Sequence, residues 1–162
     1  MRRLCLTLLC GLVAVPAALA ASHATGDGVL EIRDAAGVVV LNTTRGTVWG
    51  QLTKGKLVVT DPVAGDGAIL VSGAKITPGS LDNVTVYSGK DIHFRVTGGR
   101  AKLVFKGSGL DLTAVGVGTV TFIGDAFAAD QGDFALDSAG KWNPVPVSST
   151  TFRFGVQPAP AP

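Results

Sequence analysis

Residues 91–124 read DIHFRVTGGRAKLVFKGSGLDLTAVGVGTVTFIG, and their reading decides the fold. Apolar residues alternate with polar ones, the period of a half-buried strand, and glycines punctuate the run. Gly98-Gly99 supplies two residues that tolerate positive φ, as a two-residue hairpin turn requires. Folding the chain there predicts Val96 beside Ala101, Phe94 beside Leu103 and Ile92 beside Phe105, giving one wholly apolar face. The other face would carry Asp91, His93, Arg95, Lys102, Val104 and Lys106, with Arg95 directly opposite Lys102. Like charges so placed cost about 0.2–1 kcal/mol. With Arg100 beside them, His93, Arg95, Lys102 and Lys106 form a basic hairpin face, a candidate for holding an anion.

The same pattern extends outward in both directions. Strand-like segments cover 29–33, 38–43, 47–52, 56–60, 68–77, 83–87, 92–97, 101–106, 110–114, 117–123, 134–137 and 150–156, each bounded by a turn signal. Lys54-Gly55 predicts a second tight hairpin with Leu52 beside Leu57. No window carries a helical apolar stripe. The expectation is an all-β domain over residues 29–156, an antiparallel sandwich or barrel of about 11–12 short strands. Residues 26–48 align without gaps on residues 98–120, which suggests two pseudo-repeated halves. Their turn glycines coincide, whereas Leu30 and Ile32 fall against Lys102 and Val104, out of apolar phase.

The ends are different in kind. Residues 1–20, MRRLCLTLLCGLVAVPAALA, have the charged start, apolar run and Ala-Leu-Ala end of a signal peptide cut after Ala20. Pro16 and the small residues speak against a membrane anchor. Residues 21–28 read as a flexible leader, and 157–162, QPAPAP, as an extended Pro/Ala-rich tail. Removing the signal takes away Arg2 and Arg3, leaving 12 basic residues (14 − 2) against 12 acidic ones. A chain so balanced does not suggest a nucleic-acid partner. Both cysteines, Cys5 and Cys10, leave with the signal, so neither a disulfide framework nor a thiol catalyst is expected.

The run VYSGKDIHFRVTGGRAKLVFKGSGLDLTAVGVGTV, residues 86–120, resembles uncharacterised exported proteins common in high-GC Gram-positive bacteria. In these an aromatic-Ser-Gly segment precedes an F-R-x-x-G-G-R hairpin and a G-x-G-I/L-D-L-x-A-V-G-x-G turn. Val117 departs from the pattern, which has a basic residue between the last two glycines. The resemblance spans most of the chain after the signal. It implies fold and compartment and brings no chemistry.

Few motifs point to catalysis. Ser72-Gly73-Ala74-Lys75 matches S-x-x-K but lies between strands, without the partner motifs of that nucleophile. His93 is the one histidine within the predicted fold, too few for a zinc site. Asp125, Asp130 and Asp133 cluster in GDAFAADQGD, a weak calcium candidate, and Asp61 and Asp66 share a similar loop. Asp is also an ordinary turn former. Trp49 alternates outward with Thr47 and Gln51, which makes it a candidate sugar-stacking ring. The resulting expectation is a non-enzymatic exported module, secreted or in the cell envelope, with no cofactor and no membrane span after signal removal. It would contact an anionic wall polymer, glycan or protein through the basic hairpin and Trp49. The alternatives are a small secreted hydrolase using loop aspartates, or a secreted inhibitor.

Overall fold

The computed structural model describes residues 26–63, 65–137 and 140–156. The expected signal peptide, most of the leader and the tail lie outside them. The fold is all-β. Seven strands pair in one antiparallel sheet: β1 (Gly28–Thr60), β2 (Gly67–Pro78), β3 (Val84–Gly98), β4 (Ala101–Gly124), β5 (Asp133–Leu136), β6 (Asn143–Pro144) and β7 (Thr150–Phe154). The twelve segments legible in the sequence all lie on or against these strands, four of them on β1 alone. They merge because the hydrogen-bonded ladders run on through the bends between them.

One register organises the molecule. Thr60 faces Val84, and stepping back along β1 while stepping forward along β3 leads to Gly46 facing Gly98. The same register continues into β4, from Thr43 facing Ala101 to Gly28 facing Gly116, with one irregularity where Ala35 faces Leu110. Residues 28–60 and 84–116 are thus the two arms of a single long ribbon. Gly46 has a second partner, Gly116, eighteen residues beyond its first (116 − 98). Leu57 likewise faces Tyr87 and Phe105. The ribbon is therefore coiled, each turn hydrogen-bonded to the next, a winding of the jelly-roll kind.

The coil is flattened into two layers. The first contains residues 28–33, 46–52, 67–72, 92–98 and 110–116 with β5 and β6; the second contains 37–43, 54–60, 74–78, 84–90, 101–107 and 118–124 with β7. Ring contacts cross between them: Phe94 to Phe105 at 4.9 Å, Phe122 to Phe134 at 4.7 Å and Phe134 to Phe152 at 4.8 Å. Inward side chains from both layers make one core.

The chain passes from layer to layer at glycines nine residues apart: Gly37, Gly46 and Gly55 on one arm, Gly89, Gly98, Gly107 and Gly116 on the other. These meet across the ladders, Gly28–Gly116–Gly46–Gly98–Gly67 at one end and Gly124–Gly37–Gly107–Gly55–Gly89 at the other. Close approach explains the residue type. A Cβ on Gly46 would run into the Val115 carbonyl oxygen and sit 2.9 Å from the Gly116 Cα, and one on Gly55 would sit 2.9 Å from the Gly107 Cα. Each row is a crease along which the sheet folds.

Two pairings expected from the sequence are corrected here. Ile92, Phe94, Val96, Ala101, Leu103 and Phe105 are all buried, as the alternation requires. Gly98-Gly99 is nevertheless a corner rather than a hairpin turn. Phe94 faces Gly50 and Val71, whereas Leu103 faces Leu41 and Val59. Arg95 faces Trp49 and Leu70, and Lys102 faces Asn42 and Thr60, so the two cations are not opposite each other. Lys54-Gly55 is a corner too, and Leu52 faces Ile92 and Leu110 instead of Leu57. A two-residue turn and a corner both place successive inward residues five apart (101 − 96, 57 − 52), so alternation alone does not separate them. The two stretches aligned in the sequence place buried Leu41 against outward Thr113.

Candidate functional site

Inward residues build the core, so strand alternation sends the intervening ones to the outside of the first layer. Cross-strand register sets these side by side. One row runs Glu31, Thr113, Trp49, Arg95, Leu70, and the row beside it contains Asp111, Gln51, His93, Ser72. Arg33 extends the second row on β1. Its guanidinium carbon lies 3.7 Å from the centroid of the Trp142 ring, just before β6. That contact holds the indole upright as a wall at one end of the rows.

The result is a groove of about 700 Å³ between Trp142 and Trp49, floored by Glu31, Gln51, His93, Asp111 and Thr113. A second depression of about 420 Å³ continues it past His93 and Arg95 to Ser72 and Leu70. From residues 28–33 to β2 the rows cross four strand spacings, about 19 Å. Asp111 is the fixed point of the floor. Its Oδ2 accepts a hydrogen bond from Gln51 Nε2 and its Oδ1 one from the Asp34 backbone N–H, each 2.9 Å. The side chains of Glu31, Trp49, His93 and Arg95 make no hydrogen bond or ion pair with the described residues, which leaves their polar atoms open to a ligand. Trp49 is 36% exposed, the ring presented outward.

Of the candidates named from the sequence, the groove contains Trp49, His93 and Arg95. Lys102 and Lys106 are on the opposite outer face, and Arg100 stands at the corner between layers, its backbone N–H donating to Asp66 Oδ2 at 3.2 Å. The basic set is therefore divided between two surfaces. Asp125 and Asp130 accept turn hydrogen bonds from Phe127 N–H (3.0 Å) and Gly132 N–H (2.9 Å), while Asp133 pairs in the β5 ladder. Among the described residues no three His, Cys, Asp or Glu side chains are grouped to hold a metal. Ser72 faces His93 while Lys75 lies beyond the bend at Gly73, so the S-x-x-K residues are parted. Gln51 stands between His93 and Asp111, so these two side chains are not direct cross-strand neighbours.

Sequence reasoning missed Trp142, Arg33, Glu31 and Asp111. For Glu31, Arg33 and Asp111 the signal was present in their parity, the outward phase of their strands, but only the ribbon register shows that they share a face with Trp49, and Trp142, which lies on no strand, joins them through its contact with Arg33. No helix among the described residues is long and apolar enough to cross a membrane. No protein-family model, curated protein or solved structure matches the chain.

Proposed function

We propose that the protein is an exported, non-enzymatic glycan-binding module of the cell envelope, holding a linear saccharide across the strands of the first layer. The observation that carries this reading is the pair of indoles, Trp49 and Trp142, bounding a floor of Glu31, Gln51, Asp111 and Thr113. A sugar ring has an apolar face and a hydroxylated edge. Indole faces pack against the former and fixed carboxylate, amide and hydroxyl groups pair with the latter. The signal-peptide pattern of residues 1–20 supports the compartment.

The test is isothermal titration of purified residues 21–162 against a panel of neutral and acidic oligosaccharides, with Trp142→Ala alongside. Binding by the wild type that falls about tenfold or more in the variant supports the reading, since a stacking ring contributes about 0.5–1.5 kcal/mol beyond its area. A folded wild type that binds none of the panel overturns it.

A second reading has its own observation. Glu31 and Asp111 are diagonal neighbours on adjacent strands, about 7–8 Å apart by strand geometry. That spacing resembles the carboxylate pair of a glycoside hydrolase that inverts configuration. Release of reducing ends from a bound glycan, abolished by Glu31→Gln with binding intact, would replace the binding module by an enzyme.

A further inference from the structure

The outer face of the second layer carries a different chemistry. Residues 54–60 and 101–107 are adjacent there, and Lys56 faces Lys106 directly. At the rim of this face, just across the crease at Gly55 and Gly89, Lys54 faces Lys90. Ser88 faces Lys56 and, across the next ladder, Lys75. Five lysines thus occupy four neighbouring strands, a patch about 14 Å across. All five are exposed, and none makes an ion pair with the described residues. Asp91 follows Lys90 at the bend, with φ of 53°, and pairs with none of them.

Two like-charge pairs face each other across ladders in a molecule otherwise near neutral. Each such pair costs about 0.2–1 kcal/mol in the unbound protein. A counter-charge lying between the lysines removes that cost and gains the attraction. From this arrangement we infer that Lys54, Lys56, Lys75, Lys90 and Lys106 form a binding site for a linear polyphosphate-type polyanion. This site is separate from the glycan groove and stands whether or not that reading does.

The patch itself selects among anions. Ammonium groups act as point charges, without the fork by which a guanidinium grips one carboxylate or phosphate bidentately, so five lysines without an arginine favour a dense line of negative charge over a single planar group. The surface beside them is Val58, Val86 and Val104, flat and only half-buried. Such short side chains do not reach into an acyl layer, and the aromatic or leucine anchors of an interfacial segment are missing from that row. No aromatic ring stands in the row to stack an unpaired base. A flexible chain bearing a negative charge at every repeat fits this surface better than a bilayer or a nucleic acid.

The test is titration of full-length mature protein, residues 21–162, with long-chain sodium polyphosphate over a NaCl series. A Lys56→Gln/Lys106→Gln variant is compared with Lys102→Gln/Arg153→Gln, which changes the same face outside the patch. The expected result is affinity that falls steeply with salt, about tenfold or greater loss in the first variant, and a change within about threefold in the second. Urea melts of both variants accompany the titration, and a first variant as stable as the wild type, as removal of a repulsive pair predicts, places its loss at the binding surface. Three results overturn the inference: no polyphosphate binding by folded wild type at low salt, equal losses in both variants, or binding to vesicles containing anionic lipid without binding to polyphosphate.

Discussion

Trp49 and Val58 lie nine residues apart on β1 (58 − 49), each at the middle of an outward row, one on either side of the sandwich. Around Trp49 stand Glu31, Arg95 and Thr113, a mixture of charges, hydroxyl and ring bounding a groove. Around Val58 stand Val86, Val104 and, one row away, Lys56 and Lys106, with no carboxylate among them. Both faces are made by the same coiled ribbon with the same spacing between bends. The inward residues and corner glycines set the scaffold, and the outward residues are free to take opposite characters. A net charge of only +2 hides that division.

Four experiments would break or sharpen the contrast. Gly46→Val places a branched side chain at a crease where even a Cβ meets the Val115 carbonyl, so both faces should be lost together. A stability loss above about 3 kcal/mol is expected in urea melts, with Gly65→Ala, where nothing lies within 4 Å, costing only about 1–2 kcal/mol, that of a side chain at its positive φ of 84°. A Gly46 variant as stable as the wild type would mean the crease is not tight. Leu103→Ala empties part of the core shared by both layers and should cost about 2–5 kcal/mol by the same melts, again without preference for either face.

Trp49→Ala separates the faces. Glycan affinity should drop about tenfold, read by titration, while the urea midpoint and polyphosphate binding remain as in the wild type. A matching loss of polyphosphate binding would show the two surfaces to be one coupled site. The smallest effect belongs to the other side. Lys56→Gln should raise stability by about 0.2–1 kcal/mol at low salt, and the gain should shrink as salt screens the Lys56–Lys106 repulsion. A loss instead of a gain would mean that the lysine stems contribute packing that outweighs their charge.

Particular residues show how far the sequence could be read. The six inward positions from Ile92 to Phe105 were legible from alternation, because burial is decided two residues at a time. The identity of each strand's neighbour was not. Val96 and Ala101 have the spacing of a hairpin pair, yet their partners lie far away in the chain, at Val48 and Ile69 for one and Thr43 for the other. The recurrence of glycine at 37, 46, 55 and at 89, 98, 107, 116 is the signal that distinguishes corners from turns. Trp49, His93 and Arg95 were legible as outward residues. Arg33, Glu31 and Asp111 join them only through long-range register, and Trp142 through its contact with Arg33, neither of which local pattern contains.

The ribbon also dictates when this chain can fold. Partners at its closed end, Thr60 and Val84, are 24 residues apart (84 − 60), while Gly28 and Gly116 at the open end are 88 apart (116 − 28). Closing a loop costs more entropy as it lengthens, so pairing proceeds from the closed end outward, each pair shortening the loop for the next. Residues 28–43 have no ladder partner until the chain beyond residue 101 exists. The Asp137 carboxylate, whose Oδ1 accepts the Val29 and Gly155 N–H groups, ties the start of the ribbon to the chain just past β7. A ribosome making this protein therefore releases its first half with none of its ladder partners yet made.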